Sequence, residues 1–110
     1  RKGQLNEALS ALNAYVQTSD DSDDTPLAYF WMGEINLTNG NLAVATQNYN
    51  TLVGLYPTHW KVPLAKFKLG TIYLEQGSKE RAVSILETVI REYPDSSAAK
   101  ASAETLTSLK

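Results

Sequence analysis

Pro26-Leu27-Ala28-Tyr29-Phe30-Trp31-Met32-Gly33 returns as Pro63-Leu64-Ala65-Lys66-Phe67-Lys68-Leu69-Gly70, 37 residues further on. The same shift carries Ile35 onto Ile72, Leu37 onto Leu74, Gly40 onto Gly77, Ala45 onto Ala82 and Tyr56-Pro57 onto Tyr93-Pro94, without a gap. Self-similarity at one fixed period is the signature of a repeat array. Shifting backward lays Gly3 on Gly40, Leu5 on Leu42, Ala8 on Ala45 and Val16 on Val53; shifting forward lays Leu69 on Leu106 and Ile72 on Leu109. One domain over 1–110 is therefore expected. Residues 4–19 read as the second half of an earlier repeat, 25–57 and 63–94 as full repeats, and 96–110 as a capping helix. Because Arg1-Lys2-Gly3 falls inside a repeat, the chain is expected to be a piece of a longer array.

Each repeat reads as two helices. Thr25 and Pro26 suit an N-cap and first helical position, Gly40 a left-handed C′ terminator, Asn41 the next N-cap and Pro57 a stop. Pro63, Gly77, Ser78 and Pro94 repeat the plan. Leu27, Phe30 and Leu37, like Ala82, Ile85, Leu86, Val89 and Ile90, recur at the spacing of amphipathic helices rather than strands. The expected fold class is all-α, a solenoid of helical hairpins. Gly33, Gly70, Ala45 and Ala82 are expected where paired helices come closest.

Composition narrows the function. With 43% hydrophobic and 20% charged residues the chain is globular rather than disordered. A net charge of −2, with Lys and Arg scattered, offers no field for phosphates, so nucleic acid is not an expected partner. The longest apolar run, Leu27 to Met32, is far short of the ~20 residues of a membrane helix. There is no cysteine, hence no disulfide and no thiolate chemistry. The only histidine, His59, reads as an exposed loop residue, and no Gly-rich phosphate loop is present. Asp20, Asp21, Asp23 and Asp24 lack the central Gly and distal Glu of a calcium loop and read as a solvated connection. No catalytic residue, cofactor or metal is expected, and the chain is expected not to be an enzyme.

Tyr29-x-x-Met32-Gly33 with Ala45, Tyr49 and Pro57, and Leu69-Gly70 with Tyr73, Ala82, Leu86 and Pro94, resemble the tetratricopeptide repeat pattern. Departures are Lys66 for an aromatic, Asn36 for a Tyr, and a period of 37 rather than about 34, which puts extra residues in the loop from Thr58 to Val62. This spacing, with Phe30-Trp31-Met32-Gly33, Phe67-Lys68-Leu69-Gly70 and Tyr93-Pro94-x-Ser96-Ser97-x-Ala99-Lys100, resembles the C-terminal domains of the Tol–Pal-associated periplasmic family of Gram-negative bacteria. Lipoproteins of outer-membrane assembly share the longer period and the Tyr-Pro ends.

The resemblance implies a protein or peptide ligand held along one stripe of each first helix: Leu27, Phe30, Glu34 and Leu37, then Leu64, Phe67, Thr71 and Leu74. Stacked repeats would set these stripes side by side on a concave groove. Repeats that grip a chaperone C-terminal carboxylate use Lys and Asn where this chain has Phe30, Glu34, Phe67 and Thr71, so a hydrophobic segment fits better, with Glu34 favouring a Lys or Arg. The rings of Tyr29, Phe30 and Trp31 cannot all face one core, since successive helical residues point ~100° apart. Either Phe30 contacts the ligand, or Tyr29 and Trp31 pack between helices with Phe30 half covered.

The family likeness further implies a periplasmic adaptor in cell-envelope constriction and cell division, with Tol-system or peptidoglycan-synthesis proteins as partners. It also implies homo-oligomerisation through an N-terminal coiled coil absent from these residues. The alternatives are a scaffold in outer-membrane protein assembly or a regulatory appendage of an enzyme.

Overall fold

The computed structural model describes residues 2–18 and 24–110. The described residues form six helices and no strand: α1 (Lys2–Thr18), α2 (Asp24–Thr38), α3 (Leu42–Leu55), α4 (Val62–Glu75), α5 (Lys79–Glu92) and α6 (Ser97–Ser108). The fold is all-α, built from tetratricopeptide-type helical hairpins. Two compact units divide it, Arg1–His59 and Trp60–Lys110.

In the first unit α2 and α3 form the hairpin, and α1 lies against α2. Gly40 ends the first helix at φ +80°, a conformation costly for any residue with a Cβ. This lets the Asn41 N–H reach the Asn36 carbonyl at 2.8 Å and the Gly40 N–H reach that of Leu37 at 3.0 Å, which satisfies carbonyls the helix end leaves open. Gly33 is buried and sits directly under the Tyr49 ring, where an added Cβ would come within 2.6 Å of it. The interior is completed by Ala28, Phe30, Met32, Ile35, Ala45 and Leu52. Among the residues of α1 whose burial is described none is fully buried, and Leu5, Leu9 and Leu12 are half-buried.

In the second unit α4 and α5 repeat the hairpin around Gly77 at φ +79°, with the Ser78 N–H on the Tyr73 carbonyl at 2.8 Å. Gly70 takes the part of Gly33, lying 2.6 Å (from its would-be Cβ) below the Leu86 side chain. Val62, Ala65, Leu69, Ile72, Ala82, Leu86 and Val89 are buried. Helix α6 packs on α5 and α4.

Several local expectations are corrected. Asn41 and Ser78 hold the N-cap positions, yet neither side chain bonds the helix; at ψ near 70° the backbone leaves the extended region that aims a capping oxygen inward. Ser96, at ψ 155°, does cap, accepting the Ala99 N–H at 3.0 Å. Helix α2 begins at Asp24, so Thr25 lies within it instead of capping it, and α4 begins at Val62, ahead of Pro63. Both prolines remain in the first turn, where a missing N–H costs no hydrogen bond. On α6 the fully buried residues are Ala98, Ala99 and Ser102. Leu106 and Leu109 are half-buried beside Lys79, Val83 and Glu87 of α5 around a shallow cavity of about 260 Å³. Small side chains let the N-terminal half of α6 sit closest to the hairpin.

Candidate partner-binding faces

The side chains placed on one stripe of α2 divide by burial. Leu27 and Leu37 are half-buried, Glu34 is half-buried, and Phe30 is only 2% exposed. The Phe30 ring stands edge-on to Tyr49 at 5.9 Å and to Trp31 at 5.4 Å between centroids. It is an interior side chain, and Trp31, at 48% exposed, is the ring of this run that reaches solvent. Tyr29 is half-buried with its ring 6.5 Å from that of Tyr56.

Glu34 is fixed from below. The fully buried Tyr49 donates its hydroxyl hydrogen to Glu34 Oε1 at 2.6 Å, the length of a charge-assisted bond. Burial, and then the hydrogen bond and negative charge of Glu34, push the Tyr49 hydroxyl above its ordinary pKa, so it remains a proton donor. Gly33 is what admits the ring to this place. One turn along, the buried Asn36 Nδ2 donates to Asn48 Oδ1 at 2.8 Å and to the Met32 carbonyl at 3.1 Å. Asn36, a departure from the repeat pattern in the sequence, thus finds its partner in the other helix of the hairpin. The sequence signal for that partner is Asn48 itself, where the second repeat carries Ile85.

On α4 the stripe Leu64, Phe67, Thr71 and Leu74 is half-buried throughout. Phe67 leans on the cluster of Val89, Ala98 and Ala99. Thr71, the counterpart of Glu34, turns its hydroxyl to the Lys68 carbonyl of its own helix at 2.7 Å. Lys66, which replaces the family's aromatic, reaches Glu92 at 3.3 Å and lies 5.4 Å from the Tyr93 ring centre, so its stem and charge are both used. Trp60 is 69% exposed, with Lys61 Nζ 5.0 Å from its ring centre.

Elsewhere the side chains carry less chemistry. His59 is half-buried in the loop after α3 and is not the fully exposed residue expected. Of the acidic run, Asp20, Asp21 and Asp23 lie outside the described residues, and Asp24 opens α2, where a carboxylate faces the positive end of the helix. Among the described residues no group of three or more His, Asp or Glu could hold a metal ion.

Comparison with known proteins agrees with this geometry. A family described as tetratricopeptide repeat matches residues 1–59, and another of the same description matches residues 64–96. No curated protein matches the chain.

Proposed function

The chain belongs to the tetratricopeptide repeat family, and from that premise we propose that it is a non-enzymatic adaptor that holds a protein or peptide along the first helix of each repeat. Repeats of this family typically serve as protein-interaction modules. The observation that carries the reading is the treatment of equivalent positions in the two hairpins. Leu27 and Leu64, and again Leu37 and Leu74, remain partly exposed leucines, while each interior closes around Gly33–Tyr49 or Gly70–Leu86. Partly exposed apolar side chains at matched positions are ready anchors for an apolar ligand segment. Phe67 and Thr71 complete the second face. Phe30 supports the first from within, and Glu34 brings a negative charge to it.

The cellular setting is proposed from the motif likeness: a periplasmic adaptor of the Tol–Pal cell-envelope and cell-division system. No described helix is long and apolar enough to cross a membrane, in keeping with docking to partners through a protein surface. The direct test is calorimetric titration of the chain with purified periplasmic segments of Tol–Pal and peptidoglycan-synthesis proteins. A micromolar Kd, roughly −8 kcal/mol, weakened at least about tenfold by Leu37→Glu or Leu74→Glu and unaltered by Trp60→Ala, is expected. Binding that survives both leucine changes and is lost in Trp60→Ala would overturn the first-helix reading. Binding confined to outer-membrane assembly proteins would move the chain to that pathway.

A further inference from the structure

The charges of the chain are not shared evenly between its two units. Residues 1–59 hold two of the ten Lys and Arg and six of the twelve Asp and Glu, whereas residues 60–110 hold eight basic and six acidic residues. The first unit is acidic and the second basic. Substitution at matched repeat positions concentrates part of this difference on α5. Its residues Arg81, Ser84, Thr88 and Arg91 are three, four and three positions apart and share one helix face. A shift of 37 residues turns them into Val44, Gln47, Thr51 and Gly54, none of them charged. Along this face a groove of about 520 Å³ opens between α4 and α5, with the half-buried Tyr73 and Ile85 as its apolar lining.

Arg81 is the cation of this groove that is left without an acid. Lys66 is committed to Glu92, 3.3 Å away, and lies over the Tyr93 ring. Glu80 stands in the first turn of α5, where the positive end of the helix offsets its charge. Arg81 sets its guanidinium over the Tyr73 ring, 4.5 Å from the centroid, and among the described residues no hydrogen bond or ion pair engages it. Stacking uses the face of the guanidinium and leaves the N–H donors at its edge, in the fork that suits a carboxylate. It also restrains the side chain, so less freedom is lost when a partner binds.

We infer that this groove is a second docking surface, which takes an acidic segment of a partner protein: one Asp or Glu carboxylate on Arg81, with an adjoining apolar side chain against Ile85. Ser84, exposed and one turn along from Arg81, offers its hydroxyl to the same carboxylate. Charge names the occupant. Arg91, which donates to the Thr88 hydroxyl at 3.4 Å, extends the positive face, and the excess of basic residues in this unit steers an acidic segment toward it. A dense polyanion fits less well, because Glu80 and Glu92 flank the one guanidinium left over and would repel further negative charge. None of these residues belongs to the stripe of Leu64, Phe67, Thr71 and Leu74, so the surface serves a partner whether or not that stripe is used.

The test titrates the whole isotope-labelled chain with acetyl-Leu-Glu-Leu-amide, with its Gln twin and with inorganic phosphate, followed by NMR. The Glu peptide should shift the Arg81 Nε–H and the amides of Tyr73, Ser84 and Thr88. It should bind about fivefold to tenfold more tightly than the Gln peptide, the range between an exposed ion pair and a charge-assisted hydrogen bond. Phosphate should bind less tightly than the Glu peptide. Arg81→Gln, at an exposed position, should erase the Glu preference with helical content unchanged, and Tyr73→Phe, which keeps the stacking ring, should retain it. Equal binding of the Glu and Gln peptides, silence of the Arg81 signal at every concentration, or a Glu preference that survives Arg81→Gln would overturn the inference. Tighter binding of phosphate than of the Glu peptide would overturn it in favour of a phosphate site. Shifts confined to Leu27, Leu37, Leu64 and Leu74 would overturn it by placing the peptide on the first-helix stripes.

Discussion

Replacing Gly33 by alanine sets two opposed effects against each other. In a helix interior alanine is favoured over glycine by about 0.5–1 kcal/mol, because less backbone freedom is lost on folding. Against this, the new methyl would lie 2.6 Å from Cε1, 2.7 Å from Cζ and 2.9 Å from Cδ1 of Tyr49. That ring cannot swing aside, since it is fully buried, stacked edge-on against Phe30 and tied through its hydroxyl to Glu34. Relief requires separating α2 from α3, an overpacking cost of about 1–3 kcal/mol. The clash wins, and Gly33→Ala should destabilise by roughly 1–2 kcal/mol, lowering the melting temperature by about 4–8 °C for each kcal/mol. Thermal unfolding followed by far-UV circular dichroism measures it. Gly70→Ala should cost less, because its closest contact is the terminal methyl Cδ2 of Leu86, which has more rotameric freedom than a tethered ring. In a Tyr49→Ala background the penalty of Gly33→Ala should vanish or change sign, the coupling expected of groups in contact. A Gly33→Ala chain that melts at or above the parent temperature would refute the close-contact argument.

The buried amides provide a second test: Asn36→Leu strands the Asn48 side chain and should cost about 1–3 kcal/mol, whereas the double change with Asn48→Leu should recover part of that in a urea titration. Phe30→Ala removes a ring from the interior and should cost about 3–5 kcal/mol, while Trp31→Ala, at a half-exposed position, should shift the midpoint little; matched melts would separate the two. Ser102 is fully buried and its Oγ has no hydrogen-bond partner. Ser102→Ala should therefore be neutral or stabilising by up to about 1 kcal/mol, and a clear loss of stability would mean that the hydroxyl bonds to a group in solution.

What the sequence made legible follows from what repeats impose. A period, a helix-terminating glycine and a close-contact glycine are one-residue signals, because a positive φ strongly favours glycine and a Cβ would be too close at a 2.6 Å approach. Gly33, Gly40, Gly70 and Gly77 could thus be assigned before any coordinates. Capping was less legible, since asparagine or serine at the right position is not enough when the preceding glycine turn sets ψ away from the capping range. Face assignment was least legible. Periodicity places Phe30 on a stripe with Leu27 and Leu37, yet it cannot say that the ring rotates toward Tyr49 and leaves Trp31 outside. The Tyr49–Glu34 and Asn36–Asn48 pairs join residues 15 and 12 positions apart across a hairpin. Both bonds pass between helices, and only the helix pairing reveals them.

Those pairs also separate the roles of the repeats. Shifting by 37 residues turns Tyr49, Glu34, Asn36 and Asn48 into Leu86, Thr71, Tyr73 and Ile85. In the second hairpin, Leu86 and Ile85 fill space without direction, and Tyr73 meets Arg81, whose guanidinium lies 4.5 Å from its ring centre. Apolar contacts tolerate repacking, whereas a buried hydrogen bond has one geometry and a penalty for every other. The first hairpin therefore has a defined helix register and a carboxylate held at one place. Both hairpins close over a glycine, and the differences between the repeats put two directed side-chain bonds between α2 and α3 where α4 and α5 have Leu86 and Ile85.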